Sequence, residues 1–258
     1  MLSQREKKKL ISLVKDLGNE TEKLKSKSIN ISLKSDKSPL TQADIFVNQE
    51  LRSYINQTKF KNVISEEDKL KDYEERKRWN FFWMIDPIDG TKDFISKGND
   101  YTINIALCKK NCPVFSIVFA PARDELFYAE AGYGSYKNNQ KLKTKLNKKR
   151  TLKVVVSRSH TNTETKNFIT KLKETNTINT KKFASSLKIC KIADGSADIY
   201  PRLSPTMEWD TCAAHLILEE ANGFIIDTQG KSITYNKESL LNPSFFAVCR
   251  EDIISEKL

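Results

Sequence analysis

The fourteen residues FFWMIDPIDGTKDF, 81–94, pass from a run of large apolar side chains to three aspartates spaced by a proline, a glycine and a threonine. Phe81 to Ile85 have the length and the side chains of a buried strand. Pro87 has no amide to pair and fixes its own φ, so the strand is expected to stop after Asp86. Gly90 permits a tight turn and Thr91 opens a short helix, TKDFIS. Asp86 and Asp89 are therefore expected close together at the sheet edge, with helix-start amides and the Thr91 hydroxyl pointing the same way. Two carboxylates so placed repel unless a cation lies between them. Taken alone, such a DxxD reads more simply as a helix cap, Asp89, beside a solvated strand end, Asp86.

Other acids in matching positions change that reading. Glu66 follows the apolar NVIS, with Glu67 and Asp68 behind it, and so stands just past a strand. Asp210, in WDTCAAHLILEEANG, follows Trp209 at the start of a helix expected to close at Gly223. Four acids at element ends, divided between two halves of the chain, define a cleft floor for two or more metal ions. Oxygen ligands with no histidine or cysteine nearby select Mg²⁺, with Mn²⁺ or Ca²⁺ as alternatives, over zinc.

The chain has 258 residues, near the size at which one core divides into two packed units. Its 44 Lys plus Arg against 33 Asp plus Glu leave a formal charge of +11. That charge suits a nucleic acid, an anionic membrane or a small polyanion, and the abundance of Lys, Asn and Ile gives biased base composition as a rival cause. Five cysteines, an odd number, argue against a disulfide framework and for a reducing compartment. Cys108 and Cys112 have no second cysteine pair, and the histidines are His160 and His215, which argues against structural zinc.

The first helix, about 3 to 25, is amphipathic, with Leu10, Ile11, Leu13, Val14 and Leu17 on one face. It lacks the apolar run of a signal peptide, and no window approaches the roughly 18 apolar residues of a membrane span. Thr41 caps a second helix carrying Ile45, Phe46, Leu51 and Ile55. YTINIALCKK, PVFSIVFAP and ELFYAEAGYGSYKN read as antiparallel strands. The lysine-rich KNNQKLKTKLNKKR, 137–150, reads as an exposed connector; as a nucleic-acid-binding arm it lacks interleaved aromatics. The domains are expected as an α+β metal-binding lobe, 1–140, and an α/β substrate-specificity lobe, 141–258. In the second lobe LKVVVSRSH, TETKNFITKLKE, SSLKICKIADG, ADIYPR and FIIDTQG alternate strand with helix, with a lysine-rich turn before SSLKIC.

The set SEE (65–67), DPIDGTKDF (86–94) and WDTCAAHLILEEANG (209–223) resembles the lithium-sensitive, magnesium-dependent phosphatases that include inositol monophosphatases and fructose-1,6-bisphosphatases. SRSH (157–160), SSLKIC (185–190), YPRLSPTMEWDT (200–211) and LNPSF (242–246) bring it nearest, within that family, to the CysQ-type 3'(2'),5'-bisphosphate nucleotidases. Inositol monophosphatases usually show a GSAA-like stretch where this chain has SSLK. The resemblance implies a five-layered αβαβα sandwich of the sugar phosphatase kind, in α+β and α/β lobes. It makes Glu66, Asp86, Asp89, Asp210 and the Ile88 carbonyl ligands of two or three Mg²⁺ ions. The Gly90 and Thr91 amides would hold the scissile phosphate, and Asp44 with Thr91 would position or deprotonate the attacking water. His160, Ser186 and Lys188 would border the nucleotide, with Arg202 at its second phosphate. Cys212 and His215 stand where small residues are expected.

The implied reaction removes the 3'-phosphate of adenosine 3',5'-bisphosphate (PAP) to give AMP, with PAPS as a further substrate, in sulfate assimilation and PAP recycling. The alternatives are an inositol or sugar-phosphate phosphatase on the same scaffold and, more remotely, a noncatalytic RNA-binding protein. The expected partner is a small nucleotide and not a nucleic acid polymer. A monomer or homodimer in the cytoplasm is expected, with peripheral contact at the inner face of the inner membrane left open.

Overall fold

A computed structural model describes residues 1–27, 31–34, 38–144, 151–158 and 162–254. Its first half runs α1 (Gln4–Ser26), β1 (Ile31–Leu33), β2 (Pro39–Thr41), α2 (Gln42–Ile55), β3 (Val63–Ser65), α3 (Tyr73–Arg76), β4 (Phe81–Asp89) and α4 (Thr91–Ile95). Five strands follow: β5 (Thr102–Lys109), β6 (Cys112–Ala120), β7 (Glu125–Glu130), β8 (Gly134–Lys137) and β9 (Gln140–Lys141). The remainder is β10 (Thr151–Ser157), α5 (Thr163–Lys173), β11 (Thr177–Phe183), α6 (Leu187–Ala193), β12 (Ile199–Arg202), α7 (Cys212–Glu219), β13 (Phe224–Asp227) and β14 (Phe245–Val248).

Among the described residues, β3 to β9 form a seven-stranded sheet in sequence order, and a five-stranded sheet has the order β11-β10-β12-β14-β13. Successive side chains of β4 point to opposite faces and both sets are apolar, which explains why the first sheet is covered on both faces. Trp83 and Ile85 join Ile103, Ile105 and Leu107 in a core under α1 and α2. Phe82 and Met84 face the other way with Ala106 and Cys108, and there they meet α6 and α7. The far side of those two helices packs on Val155, Tyr200, Ile225 and Ala247 of the second sheet, within the same core. A third core joins that sheet's outer face, through Val154, Ile199 and Phe246, to Phe168 and Leu172 of α5. The layers are thus α1/α2, sheet, α6/α7, sheet and α5, the αβαβα sandwich expected from the sequence.

Three local expectations need correction. β4 continues through Pro87 to Asp89, accommodating the missing amide by a register irregularity against β5 between Asp86 and Asp89. The lysine-rich turn before SSLKIC is β11, a parallel edge strand paired along its length with β10; its largely exposed residues gave no apolar alternation to read. α7 ends at Glu219, and Asn222 rather than Gly223 takes the left-handed conformation, with φ 68°. Gly223 is required for space, because a Cβ there would lie 2.3 Å from Leu218 Cδ1. Among the described residues no helix is long and apolar enough to cross a membrane.

His215 and Cys212 lie within the middle layer. His215 Nδ1 is 2.9 Å from the Tyr235 hydroxyl, and burial lowers its pKa to about 4. The unfolded chain, with its histidine near 6.5, binds a proton in a window where the folded chain does not. The His215 contribution is therefore complete above about pH 6.5 and is lost as pH falls toward 4, by about 3 kcal/mol. Urea midpoints at pH 7 and pH 4.5 are expected to differ less in His215→Gln than in the parent; an equal difference in both proteins would remove this assignment.

Candidate active site

β4 ends where its side chains leave the sheet edge, and the register irregularity there turns both Asp86 and Asp89 toward the middle layer. Asp86 stands opposite Asn104 of β5, and Asp89 opposite Thr102. Asp210 arrives from the second half of the chain, on the 3₁₀ turn Glu208–Asp210 that leads into α7. One carboxylate oxygen from each of Asp86, Asp89 and Asp210 lies within 4.8 Å of the others. Asp86 Oδ1 is buried and has no hydrogen-bond partner. Burial, followed by the neighbouring carboxylates Glu66, Asp89 and Asp210, pushes the Asp86 pKa well up. Burial also raises Asp89, against the opposing Lys188 charge and the Ser186 amide, and raises Asp210, where Asp89 adds to it.

A buried oxygen without a donor, inside an all-oxygen cluster of acids, is what a hard divalent cation requires. The donor set fits Mg²⁺ and offers nothing to a soft metal. The Ile88 carbonyl accepts from Thr91 Oγ1 at 3.0 Å, so a ligand role for it would share that oxygen. Glu66 stays beside Asp86, whose pKa it raises, and is also paired with a cation: Lys34 Nζ sits 2.7 Å from Glu66 and 2.6 Å from Glu67. Burial works against the charge on Lys34, but the two glutamates outweigh it and raise its pKa; burial lifts Glu67 to about 7.

Asp44 and Thr91 meet beside this cluster. Asp44 belongs to the capping box of α2, its Oδ2 accepting from the Thr41 amide at 2.8 Å and from the Thr41 hydroxyl. That leaves Oδ1 facing Thr91 Oγ1 at 3.5 Å. Gly90, with φ 89°, caps α4 in the left-handed conformation that glycine adopts without strain, which exposes the turn to the cleft.

Glu66, Asp89, Gly90, Thr91 and Asp210 line a cavity of about 330 Å³ together with Ser186, Lys188, Tyr200 and Arg202. Ser186 donates its amide to Asp89 Oδ2 at 2.5 Å, and its hydroxyl bonds Asn104 Oδ1 at 2.8 Å. Lys188 Nζ donates to the Ser185 carbonyl at 2.5 Å and lies 5.3 Å from the centre of the Tyr200 ring. Burial lowers its pKa to about 8. Arg202 donates to the Pro205 carbonyl at 2.8 Å, while its buried Nε has no partner. His160 lies outside the described residues.

Sequence reading missed Lys34, Asn104, Tyr200 and Ser185. Asn104 had a signal, since it is polar at the position that alternates with Ile103 and Ile105 in an otherwise apolar strand. Lys34 sits in a polar stretch with no periodicity and had none.

The inositol monophosphatase family model matches residues 4–255. The 3'(2'),5'-bisphosphate nucleotidase CysQ of Salmonella typhimurium is 38% identical over 224 residues, covering 85% of this chain and 89% of that protein. The crystal structure of CysQ from Bacteroides thetaiotaomicron, a bacterial member of the inositol monophosphatase family, has a TM-score of 0.82 at 34% identity and covers 93% of this chain and 95% of its own. An IMPase/NADP phosphatase complexed with Mg²⁺ and phosphate has the same fold, with a TM-score of 0.81 at 20% identity over 97% of this chain and 94% of its own. With a family match over nearly its whole length, and relatives of this identity and coverage, the chain belongs to the inositol monophosphatase family.

Proposed function

We propose that this protein is a magnesium-dependent phosphatase that removes the 3'-phosphate of adenosine 3',5'-bisphosphate, yielding AMP and inorganic phosphate. The observation that carries the reading is the unpartnered Asp86 Oδ1 among three converging carboxylates, beside a cavity that also holds Lys188 and Arg202. The name carried by the Salmonella relative gives the substrate class, and the Bacteroides structure shares its CysQ designation. The scaffold divides its work between lobe 1–140, which supplies Glu66, Asp86, Ile88 and Asp89, and lobe 141–258, which supplies Asp210 and the nucleotide contacts.

Asp86, Asp89 and Asp210 would hold the first metal, with Glu66, which is paired with Lys34, and the Ile88 carbonyl as ligands for a second and a third. When bound, Mg²⁺ supplies positive charge to the phosphate oxygens and makes water a better nucleophile at neutral pH. The Gly90 and Thr91 amides fix the scissile phosphate. Thr91 Oγ1 orients a water for attack on phosphorus, and Asp44 Oδ1, facing that hydroxyl, receives the proton. The bond from phosphorus to O3' breaks, and O3' leaves as the ribose hydroxyl after taking a proton from solvent. Lys188 and Arg202 take the second phosphate, with Ser186 along the nucleotide.

Two measurements test this. Mg²⁺ at about a hundred times its Kd should stabilise the protein by about 2.7 kcal/mol, or about 5 to 10 °C in Tm for a chain of this size. Asp86→Asn is expected to lose most of that response, yet to melt above the parent in chelator because a buried repulsion is gone. An unchanged Mg²⁺ response in Asp86→Asn would rule out the assigned metal site.

In steady-state assays the parent is expected to prefer adenosine 3',5'-bisphosphate to inositol 1-phosphate; the reverse order would make it an inositol phosphatase. Asp44→Asn and Thr91→Ala should each lower kcat about a hundredfold to ten-thousandfold. Lys188→Met should raise KM for the bisphosphate about tenfold to a hundredfold, and change KM for adenosine 3'-monophosphate much less.

A further inference from the structure

Asp100 lies outside every motif of the phosphatase resemblance, in the stretch GNDYT, yet it is fully buried. Its carboxylate is surrounded by donors. Oδ1 accepts from Arg123 Nε at 2.9 Å and from Arg123 NH2, and Oδ2 accepts from Arg158 NH2 and from the Ala184 amide at 3.1 Å. Its backbone is held as well. The Asp100 amide donates to Asp93 Oδ2 at 2.8 Å, Arg158 NH1 reaches Asp93 Oδ1 at 2.7 Å, and the Ser185 hydroxyl donates to the Asp100 carbonyl. One residue thus ties the chain after α4 to the segments that follow β10 and precede α6.

The segment held there is the turn that faces the metal cluster. Ser185 has φ 54°, an uncommon conformation for a serine, and the Asp100 contacts to the preceding Ala184 amide and to the Ser185 hydroxyl hold it there. With the turn so fixed, the next amide, Ser186 N–H, points at Asp89 Oδ2 at 2.5 Å, and the Ser185 carbonyl meets Lys188 Nζ. Asn104 Nδ2 adds a second, longer bond to the same Asp89 oxygen at 3.3 Å. Asp89 therefore owes its orientation to a turn whose shape depends on Asp100.

We propose that Asp100, clamped by Arg123 and Arg158, is a positioning residue for the metal site: it sets the Ser185–Ser186 turn and through it the carboxylate of Asp89 and the ammonium of Lys188. The proposal rests on the metal-dependent bisphosphatase reading and adds a control point to it. Charge alone is not enough at this position. An asparagine amide would turn its NH₂ either toward Arg123 or toward Arg158 and the Ala184 amide, donor against donor.

The test compares Asp100→Asn and Arg158→Met with the parent. Arg158 is half exposed, and its loss leaves Arg123 on Asp100, so that variant is expected to fold even where Asp100→Asn does not. Mg²⁺ binding is measured by calorimetry without substrate, kcat and KM are measured with adenosine 3',5'-bisphosphate, and Tm is measured in chelator. Outer-shell partners of metal ligands typically alter affinity by about 10- to 100-fold. Asp100→Asn is therefore expected to weaken Mg²⁺ binding and raise KM about tenfold, and Arg158→Met about threefold, with kcat at saturation within about threefold of the parent. A lowered Tm with Mg²⁺ affinity and KM unchanged, in whichever of the two variants folds, would overturn the proposal. Should the parent fail to cleave the bisphosphate at all, the substrate reading falls, and the Mg²⁺ titration still decides the role of Asp100.

Discussion

Repulsion among the buried Asp86 and the half-buried Asp89 and Asp210 governs this molecule. Unit charges at the 4.8 Å separation that bounds the Asp86, Asp89 and Asp210 oxygens oppose one another by on the order of 3 kcal/mol per pair at an effective dielectric near 20. A domain whose net stability is only about 5 to 15 kcal/mol cannot carry several such terms unless something relieves them. Partial protonation does so in the absence of metal, which is the direction in which burial and mutual repulsion move all three pKa values. A cation does so without surrendering the charge. The layer order makes the encounter unavoidable, because Asp210 precedes α7, and α7 is pressed against the face of the sheet from whose edge Asp86 and Asp89 emerge.

The middle layer has a second consequence. Every residue of α6 is buried, and so is every residue of α7 as far as Leu218, so these helices have no solvent face on which to place a polar side chain. Each polar group in them must then find a partner. Lys191 reaches Glu125 of the first sheet, His215 reaches Tyr235, and Lys188 reaches the Ser185 carbonyl on the cavity wall. Cys212 fills the space against Cys108, with the two sulfurs 3.4 Å apart. The residues that looked oversized for the Asp210 helix are accounted for by contacts within this sandwiched layer.

This division explains what could be read from the chain. The apolar run of β4, the strand pattern of β5 and the Thr41 cap are local signals, and they yielded the antiparallel sheet and α2. The family motifs added the layer order, which no local pattern contains. β11 escaped because an exposed edge strand need not alternate, and β4 ran past Pro87 because an irregular register can absorb a missing amide. Asp86, Asp89 and Asp210 could be grouped because each stands at the boundary of an apolar element. Asp100, Arg158 and Lys34 could not, since their importance lies wholly in partners distant along the chain, at separations no periodicity encodes.

The cavity also has a polarity that bears on which phosphoester suits it. Carboxylates gather where β4 meets the turn before α7, while Lys188 and Arg202 stand on the wall made by α6 and β12. An anionic group on the carboxylate side needs metal ions to be tolerated there. A second anion beside Lys188 and the free Nε of Arg202 needs none, because its charge meets fixed donors directly. A second phosphate would bring an anion to the half-buried Arg202 and add one to Lys188, whose charge otherwise meets only the carboxylates of Asp89, Asp210 and Asp100. A preference for the bisphosphate would then rest on charge, with no steric block against inositol required.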